Sequence, residues 1–215
     1  HIFPPSPSFT LLCSNCHRTG VLTATDGVVY SSSSPLYSAP PSSTQGLAYL
    51  HAFNRVHRDI KSDNILVGAG GSVKIADLGF CVQLTKESQN RSSVLGTPYW
   101  MAPEVIREKE YGTKVDVWST GVVLRELAQK NPPYFTETVF RAMYLISAKG
   151  AQPLDKPSDW SKDLQSFDKA TLQYDPKHRP ASVEALEHPF LKLACDPNTF
   201  EQVVQRCKAC KKVKS

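Results

Sequence analysis

The sequence predicts a mainly α-helical domain carrying one small β-hairpin, and three observations lead there. Lys114 to Lys130 is strongly apolar and stops at Asn131-Pro132-Pro133. Because the residue before a proline avoids α geometry, this is a buried helix with a hard stop. Helical patterning recurs over 137–148, 161–172, 182–187 and 199–212. Against these stand two short β-branched runs, Ile65-Leu66-Val67 and Val73-Lys74-Ile75, split by Gly68-Ala69-Gly70-Gly71. That arrangement is a hairpin signal.

Taken in chain order, residues 1–44 are rich in Ser, Pro and Thr, as in Ser31-Ser32-Ser33-Ser34-Pro35 and Pro40-Pro41-Ser42-Ser43. Such a segment cannot bury enough apolar surface to offset the entropy of ordering, so disorder is expected there. From Gln45, Leu47 and Leu50 mark the last turns of a helix that enters a loop at Asn54-Arg55. The folded unit is expected over 45–194. The 137–148 helix sets Val139, Phe140, Met143 and Ile146 on one face. The segment 195–215 is a basic tail whose helix, about Thr199 to Lys212, has Asn198 as its cap and Glu201 three residues on. Phe200, Val203, Val204 and Cys207 follow helical spacing, which makes Cys207 core-facing.

At 215 residues and 40% hydrophobic, the chain can build one core but not two large domains. Its longest apolar runs, such as Val122-Val123-Leu124, fall far short of the ~20 residues that span a bilayer, so no membrane span is expected. The first stretch lacks the basic-then-apolar pattern of a secretory leader, and a cytoplasmic location is expected. Much of the net charge of +5 comes from Arg206, Lys208, Lys211, Lys212 and Lys214. A cluster of this size reads as a solvated helix face, with no nucleic-acid partner expected. Six cysteines are too few for a disulfide scaffold. Cys13-x-x-Cys16, with His17 beside it, and Cys207-x-x-Cys210 have metal-ligand spacing. The two pairs lie at opposite ends of the chain, so a zinc module ranks last among the readings.

The chemistry is concentrated in His57-Arg58-Asp59-Ile60-Lys61-Ser62-Asp63-Asn64, which has the form H-R-D-x-K-x-x-N. Asp77-Leu78-Gly79 and Ala102-Pro103-Glu104 follow in the order of the protein-kinase signatures. Ten defined residues at these offsets arise by chance in about one placement in 10¹³ at average composition. The chain therefore resembles the C-terminal lobe of a eukaryotic serine/threonine protein kinase. The resemblance implies ATP-dependent phosphoryl transfer to protein Ser or Thr, with Mg²⁺ as cofactor.

Phosphoryl transfer asks a protein mainly for positioning and charge compensation. By resemblance, Asp59 accepts or orients the proton of the substrate hydroxyl, and Lys61 neutralises charge on the transferred group. Asn64 and Asp77 are oxygen donors suited to Mg²⁺, a hard cation shared with the nucleotide phosphates. Leu66 matches the floor of the adenine pocket. Lys61 with Thr97, in Gly96-Thr97-Pro98-Tyr99-Trp100, is the serine/threonine version of these loops. His57, Asp116 and Trp118 are expected to be scaffold, with His57 and Asp116 tying the catalytic loop to the buried helix. Glu104 and Arg179 match the family's buried ion pair beneath the activation segment.

The words HRDIKSDNIL, DLGFC, GTPYWMAPEV, PPY, RAMYLI and HPFLK resemble the PAK family, the Rho-GTPase-activated kinases of the sterile-twenty group, over residues 45–194. This implies protein substrates with Ser or Thr, and a Rho-type GTPase engaged through a segment not in this sequence. It also implies switching by phosphorylation three residues before Gly96, where Ser93 stands in place of the usual Thr. A phosphate there would pair with Arg58 through charge-assisted hydrogen bonds. Arg125 departs from the family, whose members carry an apolar residue inside the buried helix. An unpaired buried guanidinium is costly, so Arg125 must meet an acid or reach solvent. Leu78 replaces the usual Phe, a milder change.

Ahead of H-R-D, a working kinase also needs a Gly-rich loop, a strand Lys on the α/β-phosphates and a helix Glu paired to it. The first lysine here is Lys61 and the first glutamate Glu87, and no G-x-G-x-x-G precedes them. The expectation is a C-terminal lobe with the N-terminal lobe missing, inactive by itself. The alternative is a pseudokinase-like fragment that binds substrates or regulators.

Overall fold

The computed structural model describes residues 28–31, 34–38, 42–85 and 93–212. In chain order the strands are β1 Val28–Ser31, β2 Ser34–Ser38, β3 Arg55–Val56, β4 Ile65–Val67, β5 Val73–Ile75 and β6 Val82–Gln83. The helices are α1 Ser42–Ala52, α2 Pro103–Ile106, α3 Lys114–Gln129, α4 Val139–Lys149, α5 Lys162–Thr171, α6 Ser182–Leu186, α7 Pro189–Lys192 and α8 Pro197–Lys212. Helix predominates, and the strands form small antiparallel pairs: β1 with β2, β3 with β6, and β4 with β5.

Helix α3 is the axis. Its residues enter every major cluster: Val123 and Leu127 join Leu47, Ile65 and Phe200; Val115, Trp118 and Val122 join Val56 and Ile146; Leu124 joins Leu164, Phe167 and Phe190. A helix apolar all round must be covered on every side, as the run 114–130 required. Each fully buried side chain of this size contributes about 1.5–3 kcal/mol.

The predicted hairpin forms as β4 and β5, in the register Ile65 to Ile75, Leu66 to Lys74 and Val67 to Val73. Gly71 sits at φ 71° in the turn, and an added Cβ would lie 3.0 Å from the Pro197 carbonyl carbon. The turn thus seats the start of α8 against the hairpin, and only a residue without a side chain lets the two backbones approach so closely. Helix α8 buries Phe200, Val203 and Val204, as its spacing predicted. Its cap is Asp196 rather than Asn198: the Asp196 carboxylate accepts from Asn198 N–H at 3.0 Å and Thr199 N–H at 3.1 Å. A carboxylate satisfies these orphan donors and is favoured at the positive end of the helix dipole.

Two further differences emerge. Regular structure begins ahead of residue 45: α1 starts at Ser42, and Val28–Ser31 pairs with Ser34–Ser38. The β-branched and aromatic content of Val28-Val29-Tyr30 favours a strand within an otherwise Ser-rich stretch. Helix α4 buries Ala142, Leu145 and Ile146 while Phe140 is 86% exposed, so the apolar face expected there is rotated. Cys13, Cys16 and His17 lie outside the described residues, as do the side chains of Cys207, Cys210 and the basic tail. Among the described residues no three His, Cys, Asp or Glu gather to share a metal. Among them, too, no helix is long and apolar enough to cross a membrane.

Candidate active site

The loop between β3 and β4 carries the H-R-D-x-K-x-x-N residues, and Asp116 near the start of α3 fixes its shape. The Asp116 carboxylate accepts the His57 and Arg58 backbone N–H groups, each at 2.8 Å, and lies 2.9 Å from His51 Nε2. His57 and Asp116 are fully buried, and His57 Nε2 lies 3.0 Å from the Ala76 carbonyl oxygen, just before Asp77. Arg58 takes a left-handed φ of 71°, a conformation costly for a side-chain-bearing residue. The two hydrogen bonds to Asp116 hold it there.

Asp59, 2% exposed, is the hub. One carboxylate oxygen accepts from the Thr97 hydroxyl at 2.6 Å. The other lies 2.9 Å from Lys61 Nζ and 3.0 Å from Asn64 Nδ2. Lys61 Nζ also donates to Thr97 Oγ1 at 2.8 Å, and Asn64 Nδ2 to the Asp59 carbonyl at 2.8 Å. Burial pushes the Asp59 carboxyl up, but the Thr97, Lys61 and Asn64 hydrogen bonds and the Lys61 charge outweigh it, holding the group below the usual carboxylate range. Asp59 is therefore ionised at neutral pH. Thr97 reaches it because the activation segment crosses the catalytic loop at Gly96, whose φ is 129° and where an added Cβ would lie 2.5 Å from the Arg58 carbonyl oxygen.

Asn64 and Asp77 are joined through the backbone, since Ala76 N–H donates to the Asn64 carbonyl at 2.8 Å. Asn64 spends its Nδ2 on Asp59, which leaves Oδ1 as its acceptor oxygen. Asp77 is exposed, sits at φ 59° and accepts from Gly79 N–H at 3.2 Å. An amide oxygen and a carboxylate are a thin donor set. Mg²⁺ is commonly held by just such a set, completed by phosphates and water, so the residues fit it. Leu66, half-buried on β4, faces Lys74 in the strand pair.

Arg58 also reaches the activation segment. Its Nη1 donates to Ser93 Oγ at 3.0 Å, and Tyr111 Oη donates to the Ser93 carbonyl at 2.9 Å. Lower down, Arg179 and Glu104 form a bidentate pair, with Nη1–Oε1 2.6 Å and Nη2–Oε2 2.7 Å, both side chains buried. Arg125, 4% exposed, meets an acid: its Nε contacts Asp168 Oδ1, and its Nη2 donates to Asp168 Oδ2 at 2.8 Å.

Sequence reasoning missed His51, Tyr111 and Glu126. Glu126 is 6% exposed on α3, accepts from the Ser62 hydroxyl, and takes the Trp100 indole N–H at 3.2 Å. Burial pushes its carboxyl up against the pull of those two bonds. A charged residue inside so apolar a helix was the available signal, as it was for Arg125.

The loop geometry and the motif order define a protein kinase domain. The model of that domain family matches residues 32–191, and the chain belongs to the family. Within it the similarity is to PAK serine/threonine kinases, as HRDIKSDNIL and RAMYLI implied. The chain is 49% identical over 161 residues to the serine/threonine-protein kinase pakC of Dictyostelium discoideum, covering 75% of this chain and 34% of the relative. It is 47% identical over 171 residues to pakB of the same organism, covering 80% and 20%. To the serine/threonine-protein kinase PAK 1 of Mus musculus it is 48% identical over 150 residues, covering 70% and 28%. The chain thus spans about a third or less of the length of these relatives.

Proposed function

We propose that this chain supplies the phosphoacceptor and metal half of an ATP-dependent serine/threonine protein kinase. The observation that carries the reading is the Asp59 carboxylate, held ionised by Thr97, Lys61 and Asn64. In that state Asp59 accepts or orients the proton of a substrate Ser or Thr hydroxyl. Lys61, beside it, compensates charge on the group in transfer, and Thr97 fixes the carboxylate's orientation. Asn64 Oδ1 and Asp77 would hold Mg²⁺, whose contribution is to neutralise phosphate charge. Leu66 would form the floor under the adenine. Asp63, exposed on the same loop, is an acidic group that suits a basic peptide.

Regulation in this reading runs through Ser93, which already rests on Arg58 at 3.0 Å. A phosphate there adds nearly two negative charges and strengthens that contact. His57, Asp116, Glu104 and Arg179 are scaffold. Control by a Rho-type GTPase would act through a segment not in this sequence, and the work would be done in the cytoplasm on protein substrates.

The nucleotide clamp is the weak side. Residues 1–56 contain no lysine or glutamate, so no Lys–Glu pair on the phosphates forms from them. Leu78 is 53% and Phe80 39% exposed beside Asp77, an apolar surface suited to a covering lobe. The 215 residues alone are then a C-terminal lobe with little activity. The test is Mg-ATP titration followed by thermal shift, beside phosphorylation of a basic serine peptide. A shift below about 1 °C is expected, since a ligand present below its Kd stabilises by only a fraction of a kcal/mol. Turnover of the peptide that vanishes in Asp59→Asn would overturn the claim of inactivity. Tight Mg-ATP binding without turnover would favour the pseudokinase-like alternative.

A further inference from the structure

A cavity of about 440 Å³ opens between the start of α3, the second half of α5, the 176–180 turn and α6. None of its lining residues belongs to the Asp59 network. Phe167, Ala170 and Ala185 give it apolar lining, and Lys114, Lys177 and His178 are among its polar lining. Lys114 Nζ donates to the Lys177 carbonyl at 3.4 Å, which brings the first ammonium to the backbone that carries the second.

Of the nearby acids, Glu104 and Glu184 are turned to other groups, while Asp175 faces His178. Glu104 is committed to Arg179 as a bidentate pair. Glu184, the acid of the lining, accepts from Ala181 N–H at 2.6 Å. Asp175 accepts from Lys177 N–H at 2.9 Å and lies 3.8 Å from His178 Nδ1. Among the described residues, neither Lys114 nor Lys177 has an acid within ion-pair distance. The volume lies within the ~300–1,000 Å³ range of small-molecule sites and far exceeds that of a bare ion. Two ammonium groups and an imidazole beside an apolar lining match an anion that carries an apolar body.

We propose that this cavity binds an organic phosphate monoester, its phosphate on Lys114, Lys177 and His178 and its apolar part on Phe167 and Ala185. A dianionic phosphate takes charge-assisted hydrogen bonds from all three groups. Glu184 sits at the edge as an opposing charge that weakens the site. The proposal does not rest on the kinase reading.

The test titrates the full chain by calorimetry with two probes, phenyl phosphate and an acetylated phosphoserine-leucine dipeptide amide. Phenol and the unphosphorylated dipeptide are the controls. Saturable binding of at least one phosphate probe is expected, with neither control binding. Lys177→Glu should weaken it about 10-fold or more, whereas Glu184→Gln should tighten it, the direction set by removing one like charge. A preference for phenyl phosphate assigns the site to free organic phosphates, and a preference for the dipeptide assigns it to a phosphorylated protein segment. If Lys177→Glu fails to fold by circular dichroism, Lys177→Ala and Glu184→Gln decide alone. Absence of saturation by either probe, or binding undiminished by loss of the Lys177 charge, overturns the proposal.

Discussion

Replacing Asp168 by Ala isolates Arg125, the one cation among the three charged residues buried in the central helix, where Asp116 and Glu126 are the others. Arg125 is 4% and Asp168 6% exposed, and the guanidinium holds the carboxylate through both Nε and Nη2. Burial pushes the Asp168 carboxyl up and outweighs the hydrogen bond and charge of Arg125 that pull it down, as expected of a pair whose desolvation is costly. Without the carboxylate, Arg125 keeps, among the described residues, the Gln129 side-chain oxygen at 3.4 Å from Nη1. Removing one partner of a buried pair costs about 3–5 kcal/mol, roughly a 150- to 4,000-fold fall in the folding constant. For a domain of this size that lowers Tm by about 6–20 °C. The double variant Arg125→Leu/Asp168→Leu removes both charges and should return to within about 1 kcal/mol of the parent or exceed it, since an apolar pair of similar volume is often neutral or stabilising. Urea unfolding of parent, both single variants and the double variant gives the cycle, read from midpoints at constant m. A single-variant cost below about 1 kcal/mol would refute the account, because it would mean that the guanidinium reaches water unaided.

Other consequences can be checked by similar means. Gly71→Ala should cost about 1–2 kcal/mol for its left-handed φ and also displace the start of α8, so limited proteolysis should cut beyond Pro197 sooner than in the parent. Burial raises the Glu126 carboxyl above its ordinary 4.5, so the folded state holds the proton longer and stability falls as pH rises past that value. The Glu126→Gln variant, which does not titrate, should therefore gain on the parent in urea midpoints as pH rises above 4.5, and the opposite trend would contradict the burial argument. Phosphorylation of Ser93 should reduce proteolytic cleavage between Asp77 and Glu104 by strengthening the Arg58 contact, and equal cleavage rates would exclude it.

What was legible beforehand follows from the range of each signal. The hairpin was readable because Gly68 to Gly71 and the two β-branched runs are neighbours in sequence. The hard stop of α3 was readable from Asn131-Pro132-Pro133 for the same reason. Arg125's need for an acid followed from burial alone, but Asp168 lies 43 residues away and nothing local marked it. The face of α4 was misjudged because exposed Phe140 and buried Ile146 look alike to periodicity, and only the packing of Ala142 and Leu145 chooses between them. His51 was invisible for a related reason: its partners, Asp116 and Ser182, come together only in the fold. The Asp59, Lys61 and Asn64 cluster stood in a single loop motif, whereas Thr97's place at the carboxylate required the resemblance to a known family.

In the proposed function, Asp59, Lys61, Asn64 and Asp77 form a phosphoacceptor and metal half-site that needs a nucleotide-clamping lobe. Its most direct test joins the N-terminal kinase lobe of pakC ahead of Gln45 and measures Mg²⁺-dependent phosphoryl transfer from ATP to a basic serine peptide. Transfer by the fusion is expected at the ~1–100 s⁻¹ typical of protein kinases, lost by about 10³-fold or more in Asp59→Asn and in Asp77→Asn, with the unfused chain near background. A folded, ATP-binding fusion that transfers no phosphate, or one indifferent to Asp59→Asn, would contradict it.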